Sequence, residues 1–453
     1  MKKRASFTGK LGFVLSAAGA AVGLGNIWRF PYLCAKYGGG TFLIVYIVLA
    51  ATFGYTMIMA ETAIGRMSMK SPVGAFKHFS SKKSYRLGGW INAIIPVLIV
   101  PYYSVIGGWV LKYMVDYITK PAAKVAKDGY FSQFISGTSP EWWFIIFALL
   151  TIVIVYMGVQ GGIERVSKIL MPILIVLAII ICVYTMTRPG AGAGIKYMLI
   201  PSTQRFSWMT VVTAMQQMFY SLSIAMGILI TFGSYMKKEV SIEESTDQVE
   251  VFDTLIAFLA GLMIIPAVFA FSGANAGKNL DAGPSLMFIT MPKTFASFPA
   301  GRIFGLLFFM LVLFAALTSS IALTESAVST LEDELGWSRK KSTVVIGIVI
   351  FGLGTLSALG YGVLGGVKII GMQFLDFFDF ITNSVMMPLA AVATCLLVTR
   401  EIGLDKIDEE VRLGGAKFVR EKIFKFMIKW LCPIFCLIIL VSAVANAFGV
   451  IHL

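Results

Sequence analysis

Several residues that weaken a helix or carry a polar group stand inside long apolar stretches of this sequence. Three glycines fall within Gly19–Asn26, Arg29 follows closely, Asp253 lies in a later apolar stretch, and Thr318 and Ser319 lie in another. In an apolar environment, unpaired backbone groups and polar side chains are costly unless an ion, a ligand or water satisfies them. The glycines together with Asn26 and Arg29 therefore predict an ion-binding site at Gly19–Asn26, whereas Thr318 and Ser319 taken alone do not indicate one.

Each of these features also has a purely structural interpretation. Glycines let helices pack closely, and the hydroxyls of Thr318 and Ser319 can bond to carbonyls of their own helix. The Asp253 carboxylate can be the partner of a basic group or of a helix end. The polar residues Asn26 and Arg29 directly after the glycines favour the binding interpretation, because such side chains are costly in a membrane.

The sequence gives no sign of an enzyme or of an ATP-driven pump. It holds no nucleotide-binding Gly-Lys motif, and its two histidines, His78 and His452, fall in a loop and at the tail. The five cysteines show no metal-ligand spacing; they are Cys34, Cys182, Cys395, Cys432 and Cys436. We therefore expect a protein that binds and moves its ligands without covalent chemistry.

The composition shows what must position these residues. Hydrophobic residues make up 57% of the 453, charged residues only 14%, and the mean hydropathy is +0.82. Soluble domains carry about 25% charged residues, and a span needs about 20 apolar residues. Continuous apolar runs, without alternation, argue against a barrel. The sequence predicts an all-α polytopic membrane protein in a lipid bilayer.

Eleven segments are long and apolar enough to span a membrane. They lie near 11–35, 41–66, 89–117, 141–158, 166–187, 207–236, 249–272, 301–332, 343–360, 370–398 and 426–449. The net charge of +14 comes mostly from short connections between them, so it predicts orientation and not nucleic-acid binding. Lys and Arg are concentrated on the side of the N-terminus, which predicts a cytoplasmic N-terminus in the plasma membrane.

Two of the spans are weakened in the same way. The first holds the glycines of Gly19–Asn26, and the sixth holds Ser221–Gly227. They open two consecutive sets of five helices, about 11–187 and 207–398, within one domain of 1–453 that ends with an extra helix near 426–449. Weakened helices at matching positions predict an inverted repeat with a binding site near the midplane.

These motifs resemble those of the neurotransmitter:sodium symporters, including bacterial sodium-dependent amino acid transporters. The matching segments occur in family order and cover helices one to ten; they are Gly19–Pro31, Gly38–Gly40, Gly162–Pro172, Ser221–Ser223, Ala315–Ser320 and Leu331–Leu335. The resemblance implies a LeuT-like fold, a 5+5 inverted repeat in which helices 1 and 6 are broken. This fold is itself a known example of an inverted repeat. The family resemblance and the two weakened helices are therefore not independent indications of a repeat.

The resemblance also implies two sodium sites. The first would be formed, together with the substrate carboxylate, by Ala21, Asn26, Ser221 and Asp253. The second would be formed by Gly19, Val22, Ala315, Thr318 and Ser319. Asp253 stands where many relatives have Asn, and Ala257 where chloride-dependent members have Ser. A fixed charge at Asp253 can replace bound chloride, so we expect no need for chloride.

For the substrate, the resemblance implies an amino acid. Its carboxylate would meet the amides near Leu24 and Gly25 and the hydroxyl of Tyr103, and its ammonium the carbonyls of Ala21, Tyr220 and Ser221 with the hydroxyl of Ser223. The side chain would be surrounded by Ile99, Tyr103, Tyr220, Ser223, Ala225, Met226, Ser319 and Leu323. A mostly apolar lining favours a hydrophobic or aromatic L-amino acid. For Ile99 and Met226, ordinary packing is an equal alternative.

One departure concerns the break of helix 6. Relatives usually have Gly-X-Gly there, whereas this chain reads Ala225-Met226-Gly227. The extra methyl group of Ala225 is expected to add bulk beneath the substrate.

The resemblance further implies gates and a hinge. Arg29 and Asp379 would form the outer ion pair, with Asp376 as the rival acid, and Arg4 and Asp333 the inner pair. Arg4 can equally be only a positive-inside charge. Gly162 and Pro172 would let the inner end of helix 5 unwind, although a proline in a membrane helix is often only a kink.

The function expected from all this is sodium-coupled uptake of an amino acid by alternating access. A proton-coupled transporter, in which Asp253 titrates, and a sensor or channel on the same scaffold are the alternatives. The implied partners are the amino acid, sodium ions and the lipid bilayer. The sequence is compatible with a monomer and with a dimer.

Overall fold

The computed structural model describes residues 4–273 and 284–451. In hydrocarbon, only internal hydrogen bonds satisfy the backbone, so long apolar runs form helices. Within the described residues nine helices are long and apolar enough to span a membrane. They are Gly40–Ser68, Lys83–Thr119, Ser139–Tyr156, Val159–Met186, Ile242–Ser272, Gly301–Leu335, Arg339–Ala358, Phe374–Ile402 and Glu421–Ala447.

Two further spans are broken in the middle. The first consists of Lys10–Ala21 and Gly25–Lys36, which meet at an angle of 53°. The other consists of Trp208–Ser221 and Ile228–Gly233. With both included, the described chain has the eleven predicted spans, numbered here as helices 1 to 11 in chain order. The broken ones are helices 1 and 6, which confirms that prediction.

Helices 3, 5 and 7 begin six or seven residues earlier than the apolar pattern suggested. Helix 3 begins at Lys83, helix 5 at Val159 and helix 7 at Ile242, against predicted starts near 89, 166 and 249. The added turns are polar, and in helix 7 the side chain of Ser241 caps the first turn by accepting a hydrogen bond from Glu244 N. Apolar content marks only the part of a helix that lies in hydrocarbon, so the polar ends were missed.

Short helices connect the spans. The described ones are Pro72–Phe79, Ala122–Val125, Tyr130–Ile135, Ala191–Leu199, Thr203–Arg205, Leu286–Thr290, Met291–Ser297, Leu404–Val411 and Leu413–Gly415.

The broken helices lie at the centre of the bundle. Every residue from Gly12 to Ala21 in helix 1 is buried, as is every residue of the second half of helix 6, Ile228–Gly233. A helix that is buried on all sides is surrounded by other helices and not by lipid. Helices 4 and 5 instead expose large apolar side chains such as Val153 and Val176.

Arg420, which directly precedes helix 11, forms hydrogen bonds to both helix 2 and helix 7. Helix 2 contains a wide π turn, Ala50–Gly54, and the carbonyl of Ala51 accepts a hydrogen bond of 3.0 Å from Arg420. The same guanidinium donates to Glu250 of helix 7 at 3.0 Å. Helices 2 and 7 belong to different repeats, and Arg420 lies outside both.

Candidate ion and substrate site

The break in helix 1 frees backbone carbonyls at the centre of the molecule. Gly23 N donates to the side-chain oxygen of Asn26 at 3.0 Å, and Leu24 N donates to the Tyr103 hydroxyl at 3.3 Å. In an α-helix these two amides would bond to the carbonyls of Gly19 and Ala20. Those carbonyls therefore lose their helical partners and become available to other groups.

The break in helix 6, residues 222–227, is held in an unusual conformation. Ser223, Ala225 and Gly227 have φ values of 54°, 60° and 70°. For the two residues that are not glycine, a left-handed backbone costs roughly 1–2 kcal/mol each. Two tertiary hydrogen bonds offset this cost: Ser223 Oγ donates to Ala20 O at 3.0 Å, and Ala225 N donates to Glu61 Oε1 at 2.8 Å.

The four residues proposed for the first sodium site lie around the two breaks. Asp253 of helix 7 is fully buried, and its carboxylate accepts hydrogen bonds from Asn26 Nδ2 at 2.7 Å and Ser221 Oγ at 2.9 Å. The Tyr46 hydroxyl donates to it as well, at 3.0 Å. These donors are all neutral, and no ion pair found within the described ranges includes Asp253. When this carboxylate is ionised, no protein cation among the described residues balances its charge, which suits a bound cation.

The residues proposed for the second sodium site meet where helix 8 crosses helix 1. Ser319 Oγ lies 3.3 Å from Gly19 O, 3.0 Å from Ala20 O and 3.3 Å from Val22 O. The Thr318 hydroxyl instead donates to Phe314 O and Ala315 O within its own helix, at 3.0 and 3.1 Å.

Packing places Thr318 against the same break. A Cβ atom on Gly19 would lie 3.2 Å from Thr318 Cβ and 3.5 Å from Met171 Sδ of helix 5. The five residues proposed to supply oxygen ligands are therefore near one another. Met171 of helix 5, the residue just before Pro172, is their neighbour.

A small cavity of about 20 Å³, room for about one water molecule, lies between the two breaks. Its lining includes every predicted substrate-contacting residue except Ala225, and it adds Ala20, Gly23 and Asn26. Ala225 is fully buried, and its amide bonds to Glu61, so the extra methyl group does not line the cavity. The backbone is closely packed there: a Cβ on Gly25 would lie 2.7 Å from the Tyr220 ring.

A second, larger cavity of about 190 Å³ lies beyond Tyr220. Arg29 and Asp379 both line it, whereas Asp376 does not and instead accepts a hydrogen bond of 3.0 Å from the Tyr361 hydroxyl. Arg29 lies over the Tyr220 ring, 5.5 Å from its centre, and forms no ion pair with Asp379 within 4.0 Å. The structure thus brings the predicted outer residues to one cavity without joining them.

At the opposite end of the molecule the predicted pair is formed. Arg4 and Asp333 make an ion pair, and Arg4 Nη2 also donates to Ser234 Oγ at 2.8 Å and Ser329 Oγ at 3.0 Å. The second oxygen of Asp333 accepts a hydrogen bond of 2.6 Å from Ser71 N. Arg4 thus links the N-terminal segment to helix 8 and to Ser234, which directly follows helix 6.

The start of helix 5 is irregular. It is a π turn, Val159–Glu164, preceded by Gly158 at φ 94°. A Cβ atom on Gly162 would lie 2.0 Å from Ile154 O of helix 4, so only glycine fits there. Glu164 accepts a hydrogen bond of 2.9 Å from Thr8 N, which ties the N-terminal segment to this turn.

Four residues of the site were not predicted from the sequence: Glu61, Tyr46, Tyr102 and Gln217. Glu61 is fully buried in helix 2, and the cost of a carboxylate in an apolar helix, which identified Asp253, would have identified it too. Gln217 Nε2 donates to Gly25 O at 3.0 Å. The sequence does not mark this glutamine or the two tyrosines as part of a site. Buried side chains with a large apolar part and one polar group at the end are common.

Comparison with known proteins shows to which family this chain belongs. The model of the "Sodium:neurotransmitter symporter family" matches residues 4–128 and 131–450. The chain belongs to the sodium:neurotransmitter symporter family. An uncharacterized sodium-dependent transporter of Bacillus subtilis (strain 168) is 34% identical over 418 residues, which cover 91% of this chain and 92% of the relative. A sodium- and chloride-dependent GABA transporter 2 of Rattus norvegicus is 27% identical over 382 residues, 73% of this chain and 62% of that protein.

A solved member of the symporter family has the same fold. The crystal structure of MhsT in complex with L-phenylalanine matches with a TM-score of 0.87 and 37% identity, over 97% of this chain and 100% of that one. This protein is accordingly a sodium-dependent symporter with the LeuT-like fold, and not an enzyme. The resemblance seen in the sequence motifs is confirmed.

Proposed function

We propose that this symporter takes up a hydrophobic or aromatic L-amino acid together with sodium and without chloride. The observation that carries the proposal is the buried Asp253 carboxylate, whose hydrogen-bond partners among the described residues are all neutral and include Asn26 and Ser221 of the cavity lining. A cation there would be attracted both by Asp253 and by the carboxylate of a bound amino acid. The substrate and the ion then stabilise each other, which is the physical basis of coupling.

The cavity suits both ends of an amino acid. Leu24 N bonds to Tyr103 in this structure, and the two groups would instead converge on the substrate carboxylate at the start of the second half of helix 1. The carbonyls of Ala21, Tyr220 and Ser221, with the hydroxyl of Ser223, would accept from the ammonium group. Ile99, Met226 and Leu323 make the remaining wall apolar. The L-phenylalanine in MhsT supports an amino acid of this class.

Two sodium ions would bind. The first would use Ala21, Asn26, Ser221 and Asp253, and the second Gly19, Val22, Ala315, Thr318 and Ser319. Ser319 already lies against two of these carbonyls, and Thr318 would turn from its own helix toward the ion. Oxygen ligands fit a hard cation at both positions.

Chloride independence rests on Asp253 and Ala257. Asp253 supplies a fixed negative charge beside the first ion, and Ala257, one turn later in helix 7, offers no hydroxyl to an anion. The protein would therefore balance the sodium charge without binding chloride.

The direction of transport follows from the charge distribution. A cytoplasmic N-terminus in the plasma membrane places the closed Arg4–Asp333 pair inside and the large cavity outside. Sodium then enters down its gradient, aided by the membrane potential at about 2.3 kcal/mol per charge per 100 mV. Release of the second sodium through the region of Gly162 and Pro172 would loosen the inner gate.

Purified protein in proteoliposomes tests the proposal. With an inward sodium gradient and no pH gradient, labelled L-phenylalanine should accumulate, and a sodium ionophore should abolish the accumulation. Accumulation that follows an imposed pH gradient and not the sodium gradient would instead indicate a proton-coupled transporter. Binding without accumulation would indicate a sensor, and dissipation of a preset phenylalanine gradient without sodium would indicate a channel.

A further inference from the structure

Asp379 is held by two neighbours that the outer-gate description above does not use. Its Oδ1 atom accepts hydrogen bonds from Tyr102 of helix 3 at 3.2 Å and from Asn383 Nδ2 at 2.5 Å. Asn383 Nδ2 also lies 3.3 Å from the Tyr102 hydroxyl, so the three side chains form one cluster.

The other carboxylate oxygen has no such partner. Within the described chain no hydrogen bond reaches Asp379 Oδ2, and the residue is exposed on the wall of the outer cavity that it shares with Arg29. Two donors on one oxygen restrict rotation of the carboxylate and leave its second oxygen available to Arg29. An ion pair formed with an already oriented carboxylate loses less conformational entropy.

We propose that Tyr102 and Asn383 are positioning residues of the outer gate: they fix the Asp379 carboxylate so that Arg29 can pair with it when the gate closes. This inference rests on the proposed function and on the outer ion pair that the family resemblance implies, in which Arg29 and Asp379 would close the outer path over the substrate. Because Tyr102 belongs to helix 3 and Asn383 to helix 10, the cluster also fixes where helix 10 presents its acid.

An opposite interpretation of the same contacts is that Tyr102 and Asn383 compete with Arg29 for Asp379. The free Oδ2 atom argues against competition, since both donors engage only Oδ1. The two interpretations predict effects of opposite sign. Loss of a positioning residue weakens closure, whereas loss of a competitor strengthens it.

The test uses a cysteine in the wall of the outer cavity, Ala443→Cys, in the full-length protein. The five native cysteines are all buried, so a membrane-impermeant maleimide should react with the introduced thiol first. Labelling rates are compared with and without sodium and L-phenylalanine, and the dissociation rate of labelled L-phenylalanine is measured in parallel. Asn383→Ala and Tyr102→Phe are compared with Tyr361→Phe, which removes the equivalent bond to Asp376 on the same helix.

We expect Asn383→Ala and Tyr102→Phe to accelerate labelling and phenylalanine release about tenfold or more, the effect of losing one hydrogen bond to a charged group. Tyr361→Phe should change neither rate. In an Arg29→Gln background the two substitutions should add little, because the partner of Asp379 is already absent. Slower labelling and release, equal effects of Tyr361→Phe, or full additivity with Arg29→Gln would each overturn the proposal.

The outcome is separable from failure of the proposed function. If L-phenylalanine does not bind, labelling in the absence of amino acid still reports the closed fraction of the outer cavity. Tyr102→Phe removes a single hydroxyl, so a folding defect in Asn383→Ala would not leave the proposal without a test. Faster labelling in Tyr102→Phe without ligand then supports the positioning role, and an unchanged rate overturns it.

Discussion

The backbone amide of Ala225 in helix 6 donates a hydrogen bond of 2.8 Å to the fully buried carboxylate of Glu61 in helix 2. Ala225 has a left-handed backbone, and its amide has no helical partner in the break. Glu61 therefore supplies the acceptor that the break needs. The contact couples the shape of the substrate cavity to a residue that does not line it.

Replacement of Glu61 tests this dependence. Glu61→Ala leaves a buried amide without an acceptor and should lower the free energy of unfolding by about 1–3 kcal/mol. Glu61→Gln keeps an oxygen in reach of Ala225 N and should cost less. Thermal unfolding in detergent, read by tryptophan fluorescence, compares the two. Equal losses for both variants would mean that the hydrogen bond is not what matters.

Replacement of Asp253 tests the source of chloride independence. Wild-type uptake should be unchanged when gluconate replaces chloride. Asp253→Asn keeps the size of the side chain but removes its charge, and should raise the sodium concentration for half-maximal uptake by about tenfold or more. Sodium titration of phenylalanine uptake measures this effect. Asp376→Asn, an exposed acid on helix 10, is the matched control. A wild-type protein that fails in gluconate would contradict the assignment.

The hydroxyls of helix 8 can be tested against a hydroxyl elsewhere that only bonds within its own helix. Thr318→Ala and Ser319→Ala should weaken sodium activation several-fold, because each removes a proposed ligand. Thr394→Ala of helix 10 removes a buried hydroxyl that bonds to Ala390 O at 3.1 Å and should leave sodium activation unchanged. If Thr318→Ala behaves like Thr394→Ala, the hydroxyl of Thr318 serves its own helix alone.

The inner gate can be opened by removing Arg4. Arg4→Gln loses the ion pair with Asp333 and the bonds to Ser234 and Ser329, so the inner end should open more often. A cysteine placed at Ser71, beside Asp333, should react faster with a thiol reagent in Arg4→Gln than in the parent with the same cysteine. Lys77→Gln breaks the neighbouring pair with the next residue of helix 8, Glu334, and serves as control. Equal reactivity in all three proteins would show that Arg4 does not close this end.

Because Ala225 lies outside the cavity lining, we expect other residues to determine the size of the amino acid that is bound. Ala225→Gly should not change the preference between phenylalanine and leucine, since the methyl group lies outside the cavity lining. Leu323→Ala enlarges the wall itself and should shift the preference toward the larger amino acid. Competition of unlabelled amino acids with phenylalanine uptake measures both. A shift in Ala225→Gly would restore the expectation drawn from the sequence alone.

Much of the fold could be predicted because its signals are local. The apolar runs fix the eleven helices, and the glycines beside Asn26 mark the break in helix 1 without reference to any other part of the chain. Asp253 was identifiable for the same reason, since a carboxylate in an apolar helix is costly wherever it points. The predicted ion ligands and most of the predicted cavity lining lie together in the structure.

Other features depend on which helices meet, and one sequence does not specify that. The bond from Ala225 to Glu61 joins helices 6 and 2, and it removes Ala225 from the cavity that its sequence position suggested. Likewise, Arg29 and Asp379 line one cavity, but Arg29 lies over the Tyr220 ring and not against the acid. Residue types identify the two partners, but not whether they are in contact.

The bonds of Arg420 have a mechanical consequence. If helix 2 separated from helix 7, Arg420 could stay with only one of them, and either the Ala51 carbonyl or the Glu250 carboxylate would lose this partner. Arg420 thus joins the two helices from outside the two repeats. We expect helices 2 and 7 to move together as one rigid body when the central site opens to the other side of the membrane. The segment before helix 11, which has no counterpart in either repeat, would hold these two helices together.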